Sequence, residues 1–174
     1  MRAGELSCVF SVIKSFGNGV NALLRKLRTV RELGPARRAF LFEALSLPPL
    51  IALGFRVAGV PVTQGFLRRW AGWSGRGSHA DVAGTIQDGC WAQRFVSRRT
   101  GIGGSCLVRS LTLWTMLLRR GVETDLRVGF RRSDGKVEGH AWLEYGGRIL
   151  NEQEGVAATY TVAERPMRFD VTWR

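Results

Sequence analysis

Hydrophobic residues in the first 70 positions recur with the period of a helix. From residue 19 to residue 33 apolar side chains are spaced by three and four, with Arg and Lys between them. This spacing predicts an amphipathic helix. Proline is favoured in the first turn of a helix, so Pro35, Pro49 and Pro61 predict three further helices. Those that start at Pro35 and Pro61 are expected to reach residues 47 and 70.

A joint rich in glycine and serine follows these helices at residues 72–78. Because such a composition is typical of a linker, we predict that the chain has two parts. Residues 1–75 form a basic, hydrophobic, helical N-terminal region, and residues 76–174 form a second domain.

The second domain starts with helical periodicity and then changes to the period of a strand. Residues 81–99 predict an amphipathic helix, and residues 107–121 predict a largely apolar helix that ends in basic residues and a glycine. From residue 123 apolar and polar residues alternate, as in a half-buried strand. The predicted strands are residues 123–131, 137–145 and 148–151, with short candidates at 157–162 and 167–173. Helices followed by an antiparallel meander indicate an α+β fold.

The chain is strongly basic, with 26 Lys and Arg against 14 Asp and Glu and a formal net charge of +12. This balance favours an acidic partner, such as an anionic membrane face, nucleic acid or an acidic peptide. Helices solvated by arginine give the same balance without any partner. The sequence contains neither a nucleic-acid-binding motif nor aromatic residues interleaved with basic strand positions, so nucleic acid is not an expected partner.

A charge-poor stretch at residues 39–55 bears on cellular location. It is interrupted by Glu43 and a Pro-Pro pair, and it is shorter than the roughly 20 residues that a membrane-spanning helix needs. We interpret it as a buried helix or as a surface that docks on an apolar partner, which allows a peripheral membrane contact. Because no long apolar run precedes Lys14, a secretory signal is not expected. The expected location is cytoplasmic, with membrane association allowed.

The cysteines and histidines are too few and too scattered for a metal site. Cys8, Cys90 and Cys106 show no C-x-x-C spacing, so neither a disulfide framework nor a zinc site is supported. We expect no metal, no cofactor and at most one functional thiol. His79 and Cys90 are interpreted as structural.

Cys106 stands where a helix is expected to begin. It follows a glycine-rich loop at residues 100–105 and directly precedes the apolar helix. Unpaired backbone N–H groups and the helix dipole favour a thiolate at such a position, and the Cys106 N–H can donate to an oxyanion. A small buried residue that packs in the core is the structural alternative.

His140 and the pair Asn151-Glu152 complete a candidate catalytic group. His140 lies on the second predicted strand, between a glycine and an alanine that leave room around it. A histidine satisfied by core packing is the alternative. Asn151 and Glu152 follow a Gly-Gly turn, which returns them towards the histidine on the adjacent strand. Either side chain can accept the imidazole N–H and fix its tautomer. Together the three positions predict a cysteine hydrolase.

Five short motifs occur in a fixed order between residues 84 and 152. They are Ser105-Cys106-Leu107, residues 118–122, residues 126–130, residues 140–144 with Gly147-Arg148 after them, and Asn151-Glu152. In sequence and spacing they resemble the leader peptidases of lasso-peptide biosynthesis, the B proteins. The resemblance implies a transglutaminase- or papain-like fold, with a catalytic cysteine at a helix N-terminus packed on a small antiparallel sheet. It also implies that Cys106 is the nucleophile, His140 the base and Glu152 the acid of the triad. The family most often has aspartate at the position of Glu152, so Asn151 stays open as the orienting residue.

The resemblance further implies the substrate, a ribosomally made precursor peptide that is cut between leader and core. In fused enzymes of this family a winged-helix recognition module precedes the peptidase, and the first 70 residues do not resemble it. We therefore expect the split form, which acts with a separate leader-recognition protein beside a macrolactam-forming cyclase. Two alternatives stay open: another transglutaminase-like acyltransferase or amidase, and a catalytically inactive, basic, membrane-associated adaptor.

Overall fold

The computed structural model describes residues 33–74, 81–100, 104–133, 135–153 and 155–163. The helix predicted at residues 19–33 lies outside these ranges apart from its last residue, and so do the strand candidate at 167–173, Cys8 and His79. Contacts divide the chain after residue 38. The domain boundary predicted near residue 75 adjoins a segment outside the described residues and stays a prediction.

The first described helix, α1 (Pro35–Ser74), contains the prolines that predicted separate helices. Its backbone leaves the helical region at Gly59, with φ of 79° and ψ of 169°, a conformation that glycine adopts at little cost. Beyond this break the Thr63 hydroxyl donates to the Gly59 carbonyl at 2.7 Å. A helix boundary close to Pro61 is thus confirmed.

The helix boundary predicted at Pro48-Pro49 was wrong, because α1 runs through both residues. Proline removes a backbone hydrogen bond from a helix interior. However, Ala44, Leu47 and Ile51, on either side of the pair, are all buried. Burial of this face before and after the prolines holds the two turns in line and outweighs the local propensity.

Two further helices confirm the sequence prediction to within a few residues. They are α2 (Val82–Thr100) and α3 (Cys106–Leu118). In α3 every residue from 110 to 117 is buried, so α3 is the central helix of the domain. The hydroxyls of Thr112 and Thr115 donate to carbonyls one turn earlier, at 2.8 and 2.7 Å, and so enter the core with their polar groups satisfied.

The sheet is small and antiparallel. Its strands are β1 (Asp125–Ser133), β2 (Lys136–Tyr145), β3 (Arg148–Ile149) and, after the short helix α4 (Val156–Thr159), β4 (Thr161–Val162). Their order is β3-β2-β1-β4. The strand predicted at 157–162 was therefore wrong over its first part, which is α4. Helices followed by an antiparallel meander confirm the α+β fold.

Candidate active site

The N-terminus of α3 presents Cys106 as its first residue. Ser105 caps the helix, and its hydroxyl accepts from the Val108 N–H at 3.4 Å. The first N–H groups of a helix have no intrahelical acceptor, so those of Cys106 and Leu107 remain at the helix end beside the thiol. Cys106 is half-buried. The structure thus places this cysteine at a helix start, in reach of donors suited to a developing negative charge.

His140 lies in β2 within a cluster of aromatic rings. Its imidazole stacks on Tyr160 with the ring centroids 5.2 Å apart and on Trp142 with the centroids 6.2 Å apart. Across the ladder His140 pairs with Gly129 of β1. A Cβ atom at position 129 would lie 2.7 Å from the Tyr160 Cβ. The missing side chain is therefore what lets Tyr160 approach the imidazole.

The carboxylate of Glu152 faces His140. Its Oε1 lies 3.5 Å from Nε2 of His140 and 3.3 Å from a guanidinium nitrogen of Arg109. The distance to His140 is longer than that of a well-formed hydrogen bond, as is common for catalytic contacts before a substrate binds. One oxygen therefore accepts a hydrogen bond from Arg109 on α3 and also lies close to the imidazole of His140 on the sheet.

Asn151, the alternative orienting residue, is engaged elsewhere. Its Oδ1 accepts from the Leu143 N–H at 2.8 Å, and its Nδ2 donates to the Ser110 hydroxyl at 2.9 Å. Ser110 in turn donates to the carbonyl of Ala141 at 2.9 Å. Both ends of the amide are thus used to join α3 to β2, and Glu152 is the member of the pair that is directed at the histidine.

The same hydrogen bonds position Cys106 relative to His140. Ser110 lies four residues after Cys106, on the same face of α3, and Ala141 directly follows His140. The bond between Ser110 and Ala141 therefore fixes the first turn of α3 next to the His140 segment of β2. Within the described ranges the thiol and the imidazole form no hydrogen bond. Since Nε2 faces Glu152, Nδ1 is the ring nitrogen available to a thiol.

Arg109 and Tyr160 contact the candidate site but were absent from the sequence prediction. Arg109 lies three residues after Cys106 on the helix that the sequence did predict, so its proximity to the site was readable from the helical period. Tyr160 had no such signal, because it reaches His140 only through the fold of the segment after β3.

Cys90 is a buried thiol of a different kind. It lies on α2 and donates to the Leu150 carbonyl at a sulfur–oxygen distance of 3.5 Å. Burial raises the pKa of the Cys90 thiol, and the nearby Arg94 offsets part of that rise. A buried neutral thiol is a poor nucleophile, so of the two cysteines in the described residues Cys106 is the one placed for chemistry.

A cavity of about 270 Å³ lies at the other end of α3. Its lining includes Leu118, the last residue of the helix, with Arg68, Glu123 and Tyr145. It is therefore separate from the Cys106 site. The described residues contain no group of three or more His, Cys, Asp or Glu side chains that could hold a metal ion.

Residues 50–165, about two thirds of the chain, match the model of a protein family described as the transglutaminase-like superfamily. The match includes Cys106, His140 and Glu152 together with the sheet and the helices that position them. Neither a curated protein nor a solved structure matches the chain at a significant level. By this family match the chain belongs to the transglutaminase-like superfamily.

Proposed function

We propose that this chain is a cysteine peptidase that removes the leader from a ribosomally synthesised lasso-peptide precursor, together with a separate leader-recognition protein. The observation that carries the proposal is the contact of Glu152 with Nε2 of His140, on a strand bonded to the helix that starts at Cys106. Superfamily membership supports a catalytic cysteine. The motif spacing between residues 84 and 152 supports the substrate.

In the proposed reaction Nδ1 of His140 takes the proton of the Cys106 thiol, and the thiolate attacks the carbonyl at the leader–core junction. The N–H of Cys106 donates to the resulting oxyanion. Glu152 faces Nε2 and stabilises the imidazolium while that charge exists. The imidazolium then protonates the departing amine of the core peptide, which leaves the leader as a thioester on Cys106. Water, deprotonated by His140, cleaves the thioester and frees the leader.

The proposal of a separate recognition protein is compatible with the described residues that precede the candidate site. Residues 35–74 are helical on both sides of the break at Gly59 and contribute no strand, whereas a winged-helix module requires strands. The described residues before the peptidase site therefore provide no module of that kind for holding a leader peptide.

The test uses a lasso-peptide precursor and a small leader-recognition protein of the kind proposed, with products identified by mass spectrometry. We expect the wild type to release intact leader and core, and Cys106→Ala to lose this activity by at least 10³-fold. The matched control is Cys90→Ala, which removes the buried thiol and leaves cleavage within a few-fold. Cleavage by Cys106→Ala at the wild-type rate would refute the mechanism.

The same assay separates peptidase from acyltransferase. With a primary amine in excess, a peptidase that admits water yields free leader, while an acyltransferase yields the leader amide, which has a different mass. An inactive adaptor yields neither product, and the Cys106→Ala substitution then changes nothing.

A further inference from the structure

The outward face of α1 is apolar along most of its first half. Phe42, Leu45, Pro49, Leu53 and Val57 are spaced by three and four, so they form one stripe about 22 Å long. All of them are exposed, Phe42 to 72% and Val57 to 78%. We call these five residues the apolar stripe. An exposed apolar surface of this extent marks an interaction site.

The opposite face of α1 belongs to the core of the domain. Phe40, Ala44 and Ile51 are almost fully buried, and after the break at Gly59 so are Leu67 and Ala71. Both halves of the helix are thus packed down, and the stripe faces outward.

Charged contacts hold α1 to the end of α3. The buried Glu43 carboxylate accepts from Arg119 at 2.7 Å and from Arg120 at 2.8 Å. The Arg119 guanidinium also lies 4.3 Å from the ring centroid of Trp70, in the second half of α1. By length and composition alone α1 could cross a membrane. Crossing would separate these ion pairs and expose the buried face, so a position flat on a surface is the one compatible with the fold.

The exposed charges of α1 within residues 39–74 have a single sign. Glu43 is the one acid in this span and it is buried, whereas Arg56, Arg68 and Arg69 are exposed. Exposed apolar side chains can enter the boundary between headgroups and acyl chains, and exposed arginines without an exposed acid are attracted to anionic lipid headgroups.

We propose that α1 is a peripheral membrane-docking element, which inserts the apolar stripe into the interface of an anionic lipid bilayer while its arginines contact lipid phosphates. This inference is independent of the proposed peptidase activity, because it uses none of the residues at the Cys106 site. The partner is a lipid surface, and no second protein is needed.

The experiment measures sedimentation of the full chain with vesicles of phosphatidylcholine containing 30 mol% phosphatidylglycerol, and with pure phosphatidylcholine vesicles, at low and high salt. We expect binding to the anionic vesicles that weakens about tenfold in pure phosphatidylcholine and falls with salt. The double variant Phe42→Ser/Leu53→Ser is expected to bind at least tenfold more weakly. Because both residues are exposed, its melting temperature should stay close to that of the wild type.

Two control variants isolate the stripe. Val137→Ser changes a comparably exposed residue, 68%, on the β1–β2 hairpin and is expected to bind as the wild type does. Cys106→Ala is also expected to bind normally, which separates docking from catalysis. Unchanged binding of the double variant would overturn the proposal, and so would failure of the wild type to bind anionic vesicles. Resistance of bound protein to extraction by alkaline carbonate would overturn the flat arrangement in favour of a spanning one. If the double variant bound vesicles normally but lost the recognition protein, the stripe would be a protein interface instead.

Discussion

Replacing Asn151 and Glu152 separately tests whether one of these adjacent residues mainly stabilises the fold and the other mainly supports catalysis. Asn151 links the core of α3 to β2 through Ser110 and Leu143, both fully buried. Glu152 is half-buried and contacts His140 and Arg109. We expect Asn151→Ala to lose mainly stability and Glu152→Gln to lose mainly activity.

The stability cost of Asn151→Ala follows from the groups it leaves behind. The Leu143 N–H loses its acceptor inside the protein, which costs about 1–3 kcal/mol. The Ser110 hydroxyl loses a donor but still donates to Ala141, so that site adds only about 0.5–1 kcal/mol. The total of about 1.5–4 kcal/mol corresponds to a drop of about 3–16 °C in melting temperature for a chain of this length.

Glu152→Gln should behave in the opposite way. Its ion pair with Arg109 is partly exposed, so its loss costs less than about 1 kcal/mol. A neutral amide cannot balance the imidazolium that forms on His140, and loss of an orienting carboxylate typically slows the chemical step by about 10²- to 10⁴-fold.

The loss of stability is measured by thermal unfolding followed by circular dichroism. The loss of activity is measured as the initial rate of precursor cleavage with the recognition protein, below the melting range of both variants. Gln153→Ala, at the exposed next position, is the control and should change neither. If Asn151→Ala melted like the wild type but was inactive, while Glu152→Gln cleaved normally, then Asn151 would be the orienting residue and the assignment made here would be refuted.

Three further predictions address the surroundings of the site. Gly129→Ala places a Cβ 2.7 Å from that of Tyr160. This substitution should cost about 1–3 kcal/mol in unfolding free energy, measured by denaturant titration, and should slow cleavage. Gly155→Ala is the control, because a Cβ at position 155 has no atom within 4 Å. Glu43→Gln leaves two half-buried arginines without their carboxylate and should lower the free energy of unfolding by about 2 kcal/mol. An unchanged denaturant midpoint would contradict this and would show that both arginines turn to solvent. Because burial raises the pKa of Cys90, the unfolded state loses this proton first as the pH rises. The free energy of unfolding should therefore fall above pH 9, and it should fall less in Cys90→Ala when unfolding is measured from pH 8 to pH 11. An equal dependence of the unfolding free energy on pH in both proteins would show that the thiol does not contribute.

The main elements of the fold were predictable because their periodicity and their packing agree. The alternation from residue 123 and the apolar run after Cys106 became β1 and α3 with small changes of boundary. The continuous helix through Pro48-Pro49 was not predictable, since it depends on the burial of Ala44, Leu47 and Ile51, which the local sequence does not reveal. Local propensity gave the wrong result where tertiary packing decided the structure.

The candidate site was predictable in outline and open in one detail. A cysteine before a helix and a histidine on a strand have local signatures, so the sequence identifies Cys106 and His140 as candidates. The different contacts of Asn151 and Glu152 could not be predicted from the sequence, because both residues follow the same turn. They are decided by Ser110, which is buried on α3 and takes up the Asn151 amide. This contact depends on the register of the strands and on the face of α3 that carries Ser110. Residues 151–152 by themselves indicate neither.

The two surfaces proposed for this chain are attached to opposite ends of α3. Glu43 and Trp70 of α1 meet Arg119 just beyond the C-terminus of α3, and Cys106 lies at its N-terminus, about 18 Å away along the helix axis. A bilayer that covers the apolar stripe therefore need not cover Cys106. Under the two proposals, α3 separates the docked face of α1 from the proposed nucleophile, so a recognition protein could deliver a peptide to Cys106 while α1 remains on the membrane.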